Sequence, residues 1–191
     1  MNIEERIAKH RWMAEAYRDA YAGKRLQEGG KYGFKFADEG VVVTPYFQDE
    51  VLKVASFKMA SVSGSATEIF DKGAVMEAKA YCLSFPDWKV LEFKCYPSDS
   101  GFAMRVLFEG HTKNATKKDG TKIKDDTKVD WHDFIFVDTN DKGEITRWED
   151  YVNDAEIGPF HDIAIHERGP FKGMGFMMAV YRTLQEAGVK V

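Results

Sequence analysis

The chain has 191 residues, 44% of them hydrophobic and 30% charged, with a net charge of −4. That length supports a single domain with a core that needs no disulfide staples. The weak acidic balance, with both signs interspersed, excludes nucleic acid as the main partner, because phosphate binding needs a basic face. No apolar run approaches the length of a membrane span, so no membrane role is expected.

Residues 3 to 22 read as a helix. Ile7, Trp12, Met13, Ala16, Tyr17, Ala20 and Tyr21 make a broad apolar stripe at helical spacing, and Gly23 is a plausible stop. The acidic, amphipathic start lacks the layout of a signal peptide, so a cytoplasmic location is expected. With no export signal, Cys82 and Cys95 are expected to be reduced and packed. After the loop-like Gly29–Gly33, Phe34 to Ala37 leads into a short strand, Val41 to Thr44, closed by Pro45. Ser65 to Tyr81 has helical character, weakened by Gly73.

Phe85-Pro86-Asp87-Trp88 opens the most informative segment. In this motif the proline ends a helix and the aspartate caps a turn. Strand patterns follow at 90–95, 102–110, 129–138 and 144–152, the last two joined by the turn Asn140-Asp141-Lys142-Gly143. A helical start followed by a run of strands indicates an α+β fold with an antiparallel sheet. The lysine-rich stretch 113 to 128, with interspersed aspartates, reads as an exposed hairpin arm. Beyond residue 153, Gly158-Pro159 and Gly169-Pro170 punctuate an extension. It ends in an amphipathic helix at 174–187, with Met174, Met177, Met178, Tyr181 and Leu184 on one face.

Phe-Pro-Asp-Trp before the sheet, Gly110-His111 at a strand end, and Gly143-x-Ile145 leading into Arg147-Trp148-Glu149-Asp150-Tyr151 resemble the nuclear transport factor 2-like superfamily. Within it, the pattern is similar to the SnoaL-like polyketide cyclases. The resemblance covers residues 3 to 153. It implies a cone-shaped domain, 1–153, with helices packed on a curved antiparallel sheet, and 154–191 as a C-terminal helical extension. It also implies a pocket carboxylate near the end of the domain that acts as acid or base, with a histidine nearby.

Asp130 and His132 share one face of a strand and make a workable proton-transfer pair. The next strand carries Arg147, Glu149, Asp150 and Tyr151. If the hairpin closes at Thr139 and Glu144, His132 lies opposite Tyr151; one residue tighter, it faces Asp150. The candidate catalytic residues are therefore His132, Asp130, Asp150 and Glu149. Trp12, Tyr17, Tyr46, Trp88, Arg147 and Tyr151 are the candidate substrate-binding set, with Phe85, Trp131 and Trp148 as further aromatic wall. His132 is expected to point into the cavity.

The steroid-isomerase branch of the superfamily keeps a catalytic aspartate before the proline that closes the first strand. Here that position is Thr44, and a hydroxyl cannot serve as the same base without an activator. Asp38 is a distant substitute. His161 and His166, five apart in the extension, do not share a helical face, and no metal site is expected. No phosphate-binding glycine loop and no nucleophile motif occurs, so no cofactor is expected.

Two functions fit. One is a cofactor-free enzyme performing aldol cyclisation, isomerisation or dehydration on a hydrophobic, aromatic or polyketide-like carbonyl compound. The other is a non-catalytic ligand-binding or scaffold protein. The enzyme needs at least two titratable side chains converging inside the cone. Apolar residues on both faces of the 129–138 strand suggest a homodimer through the outer sheet face.

Overall fold

The computed structural model describes residues 1–22, 31–48, 51–58, 67, 71, 75, 85–113 and 122–152; of 21–22, 42–48, 51–58 and 152 it describes the backbone alone. The N-terminal helix, α1 (Ile3–Ala22), lies where the apolar spacing predicts it. It starts with a reciprocal cap: Asn2 Oδ1 accepts the Glu5 N–H and Glu5 Oε2 accepts the Asn2 N–H, each at 2.9 Å. Met13, Ala14, Tyr17 and Ala20 are buried on its inner face.

Six strands follow in one sheet: β1 (Phe36–Gln48), β2 (Val51–Lys58), β3 (Lys89–Pro97), β4 (Gly101–His111), β5 (Lys128–Thr139) and β6 (Ile145–Val152), in the order β2-β1-β6-β5-β4-β3. β3 to β6 are consecutive antiparallel neighbours, as their patterns predict. The sheet as a whole is mixed, because β1 runs parallel to β6. That corrects the expectation of a purely antiparallel sheet. β2 is a strand the sequence reading did not assign. Pro45 does not close β1; it pairs with Val54 within the β1–β2 ladder. The recorded β1–β6 pairing ends at Val43↔Glu149. Past that point β1 has one recorded neighbour, and a proline is tolerated where one side of a strand makes no ladder.

Alternation divides the sheet cleanly. On β5, Val129, Trp131, Asp133, Ile135 and Val137 are buried, whereas Phe134 and Phe136 are exposed. On β4, Phe102, Met104, Val106 and Phe108 are buried opposite them. α1 packs on this inner face over β3 and β4. His10 is fully buried there, with Nδ1 donating to the Ser98 carbonyl at 2.7 Å and Nε2 2.8 Å from Thr139 Oγ1. Arg6 and Lys9 reach Asp141 Oδ1 and the Lys142 carbonyl, tying α1 to the β5–β6 turn. In that turn Asn140 Oδ1 accepts two backbone N–H groups, from Lys142 and Glu144. Gly143 takes a φ of 70°, which a side chain resists.

Thr67, Asp71 and Val75 are helical and four residues apart, so they share one face of the expected helix. Thr67 Oγ1 accepts the Phe36 N–H at 3.0 Å and Asp71 Oδ1 the Tyr32 N–H at 3.4 Å. The rest of 65–81, Cys82 and the whole extension 154–191, with its expected helix, lie outside the described residues. Cys95 is a free, half-buried thiol on β3. Among the described residues no helix is long and apolar enough to cross a membrane.

Candidate functional site

The register of β5 against β6 decides which side chains face inward. It matches neither closure weighed from the sequence. Thr139 pairs with Ile145, an irregularity follows, and Asp138 pairs with Arg147. Phe134 is therefore opposite Tyr151, and Ile135 is opposite Asp150. Asp150 is on the inner face; Arg147, Glu149 and Tyr151 are on the outer one, and Asp130 and His132 share that face by alternation.

This corrects the expectation that His132 points into the cavity. His132 is half-buried beside Phe134, with ring centroids 6.1 Å apart. Asp130 makes a 3.4 Å ion pair with Lys128. Glu149 accepts hydrogen bonds from Arg147 Nε and from the Tyr151 hydroxyl, the latter at 2.9 Å. Burial opposes the charge of Glu149, but these two donors outweigh it and hold the carboxyl below its usual value. The physical reason for the miss is that both faces of β5 carry large apolar groups, so alternation alone does not say which face is inside.

The predicted aromatic wall divides in two on the inner face. One cluster joins Tyr17, Tyr32, Phe34 and Trp148, with Tyr17–Trp148 centroids 5.4 Å apart and Phe102 edge-on to Trp148. The other joins Phe85, Trp88, Phe108 and Trp131, with centroids 5.3 to 6.1 Å apart. Tyr17 and Trp88 are buried within these clusters. Trp12 is not part of the wall, being 46% exposed. The Tyr46 side chain lies outside the described residues.

Between the clusters the sheet carries two carboxylates. Along β5 the inner face reads Trp131, Asp133, Ile135, Val137; along β6 it reads Trp148, Asp150. Asp133 pairs with Val152, so Asp150 is its diagonal neighbour, at a typical Cα spacing of roughly 7–8 Å. Asp133 is 4% exposed. It was not singled out in the sequence; the signal available was a charged residue at an inward position of an otherwise apolar alternation.

Asp150 is half-buried as a residue, yet its Oδ1 is fully buried with no hydrogen-bond partner among the described residues. Burial pushes its carboxyl from the ordinary 3.8 up to about 7. A carboxyl at that value is present in both its protonated and its ionised form near neutral pH, so it can give up a proton or take one, as general acid–base catalysis requires. Among the described residues no cluster of side chains is arranged to hold a metal ion.

No family model matches the sequence, and no curated protein matches it. Solved structures do match the fold. A phenazine biosynthesis-related protein from Pseudomonas aeruginosa gives a TM-score of 0.50 at 16% identity, over 86% of this chain and 92% of its own. A SnoaL-like polyketide cyclase from Agrobacterium tumefaciens gives 0.47 at 14% identity, over 83% and 97%. A protein from Catenulispora acidiphila with a ketosteroid isomerase-like fold gives 0.46 at 16%, over 78% and 91%. The chain shares the fold of the Pseudomonas aeruginosa phenazine biosynthesis-related protein. At such identities the likeness is one of fold, and activity has to be argued from the site.

Proposed function

We propose that the protein is a cofactor-free acid/base enzyme of the SnoaL-like type, acting on a hydrophobic, aromatic or polyketide-like carbonyl compound. The observation that carries this reading is Asp150, its carboxyl raised to about 7 by burial on the inner face. Two titratable side chains, Asp150 and Asp133, occupy neighbouring inward positions, which favours an enzyme over a simple binding shell. The aromatic clusters on either side suit a flat ring system.

In this reading the ionised Asp150 takes a proton from the carbon next to the substrate carbonyl. The C–H bond breaks, an O–H bond forms on the carboxyl, and the electron pair moves into an enolate. The same proton then returns to carbon or oxygen, giving isomerisation; or the enolate carbon attacks a second carbonyl, whose C=O π bond opens to an alkoxide that takes the proton back from Asp150, giving ring closure. Asp133, its diagonal neighbour on the inner face, is a second carboxylate within the same site. A homodimer through the outer sheet face belongs to the same proposal, supported by the exposed Phe134 and Phe136.

The test is deuterium exchange at the carbon next to the carbonyl of a bicyclic aromatic ketone such as 2-tetralone, followed by NMR. The wild type should exchange faster than buffer. Asp150→Asn should lose about 10²- to 10⁴-fold in rate while staying folded. Exchange no faster than buffer, or unchanged in Asp150→Asn, would count against the assignment.

A further inference from the structure

A second group of polar side chains lies outside the cone interior, where the Phe-Pro-Asp-Trp turn meets the end of β4. Pro86, Asp87, His111, Thr112, Lys113 and Asp126 line a cleft of about 530 Å³. That volume falls within the range typical of small-molecule sites, roughly 300–1,000 Å³.

Asp87 grips His111 twice. Its Oδ1 accepts the His111 backbone N–H at 2.8 Å, and its Oδ2 accepts the ring Nδ1–H at 2.7 Å. The sequence reading gave Asp87 a turn-capping role; the structure shows it bridging the turn to β4. Burial works against the Asp87 charge, but the two bonds from His111 outweigh it, and the carboxyl lies below its ordinary value. With Nδ1 committed to the carboxylate, the neutral ring carries its lone pair on Nε2, and the side chain is 38% exposed. The ring is therefore oriented, accessible and fixed in one tautomer.

Hydrogen bonds tie the cleft floor together. Thr112 is buried, donates its hydroxyl to the Lys124 carbonyl at 2.8 Å and accepts the Thr127 N–H at 3.1 Å. Asp126 sits at φ 62°, left-handed, with its N–H on the Thr112 carbonyl at 2.9 Å. Aspartate tolerates that conformation better than most residues, and such backbone is held where the surroundings over-determine it. Lys113 binds Asp125 Oδ2 at 2.7 Å, which leaves two of its three ammonium donors beyond that contact.

We propose that His111 and Asp87 form a second proton-transfer site, which binds a phenol and takes its proton. A phenol is the hydroxyl class that matches, because its acidity, near that of tyrosine at about 10, makes it a far better proton donor to a side-chain base than an aliphatic alcohol. In the step the phenolic O–H bond breaks and an N–H bond forms on Nε2. The imidazolium is held by Asp87 and the phenolate faces the Lys113 ammonium. Asp126, the remaining charged group of the lining, penalises a ligand that arrives already anionic. Pro86 offers an apolar wall for the ring.

The probe is 4-nitrophenol, whose absorbance reports its ionisation, titrated into the full chain with ¹⁵N NMR of the histidine rings. The wild type should bind it with ionisation below the pH at which the free phenol ionises, and the His111 Nε2 signal should move. His111→Gln, which keeps an amide donor for Asp87, should stay folded by circular dichroism. It should lose roughly ten- to a hundredfold in affinity, as expected for a bond to a charged group. Asp87→Asn should leave His111 present but mixed between its two ring tautomers, with weaker binding. Absence of an absorbance change, binding retained in His111→Gln, or NMR shifts confined to other histidines would each overturn the proposal.

Discussion

Replacing Asp150 by asparagine should make the folded protein more stable at high pH, not less. The carboxyl moves from 3.8 to about 7 because burial disfavours its charge. Below pH 4 the group is protonated in both the folded and the unfolded chain, so it contributes no difference. Between pH 4 and 7 the unfolded chain loses the proton while the folded chain keeps it. Stability then falls by about 1.4 kcal/mol per pH unit. Above pH 7 the penalty is complete. From 3.8 to about 7 it amounts to roughly 4 kcal/mol, an upper bound because the half-buried residue still meets some water. Asparagine is close in shape and carries no charge, so the penalty vanishes. Urea denaturation of wild type and Asp150→Asn, at half-unit steps from pH 4 to 8.5, should give curves that separate as pH rises. The difference should approach a few kcal/mol, in favour of the variant, above pH 7. Parallel curves across the range would refute the raised carboxyl, and with it the reason for choosing Asp150 as proton carrier.

Three further outcomes are expected. Gly101→Ala should destabilise the fold by about 2–3 kcal/mol, the range for forced overpacking, because the added Cβ would sit 1.9 Å from the Val137 carbonyl oxygen; thermal melting reads this, and a loss below half a kcal/mol would mean the strands part easily. His10→Ala should cost about 3 kcal/mol, since it empties a buried site and strips the Ser98 carbonyl of a donor. At about 2–4 °C per kcal/mol that is a fall in Tm of roughly 6–12 °C, and an unchanged Tm would show the histidine to be dispensable. Phe136→Asp, at an outer-face position 49% exposed, should convert a dimer to a monomer near 21.8 kDa in light scattering; a wild type already at that mass would rule out the dimer.

Periodicity made α1 and the strands β3 to β6 legible, and alternation correctly grouped Trp131, Ile135 and Val137 against His132, Phe134 and Phe136. The resemblance to the superfamily pointed to a carboxylate late in the domain, and Asp150 is at such a position. What stayed hidden depended on distant parts of the chain. The parallel contact of Val42 with Trp148 is a pairing across more than a hundred residues, with no local signature. The irregularity between Asp138 and Thr139 moved the register beyond either hairpin closure. His132 was misplaced because the choice of inner face rests on what α1 covers, and β5 is apolar on both sides. His111 was seen only as part of a motif, since its bond to Asp87 spans 24 residues.

The seam between β1 and β6 also sets the order in which the molecule can assemble. β3 to β6 form an antiparallel run of near neighbours in sequence, whose loops close at little entropic cost. β1 and β2 pair with each other early, but their place in the sheet exists only once residues 145–149 have been made and have joined β5. During synthesis from the ribosome, the N-terminal ribbon therefore waits, its edge unpaired, for nearly the whole domain to emerge. Non-local parallel pairing of this kind is slow and leaves an aggregation-exposed intermediate. Refolding kinetics should accordingly show substitutions in β4 and β5 slowing folding, with substitutions at the β1–β6 seam mainly speeding unfolding. The reverse partition would place the seam in the folding nucleus.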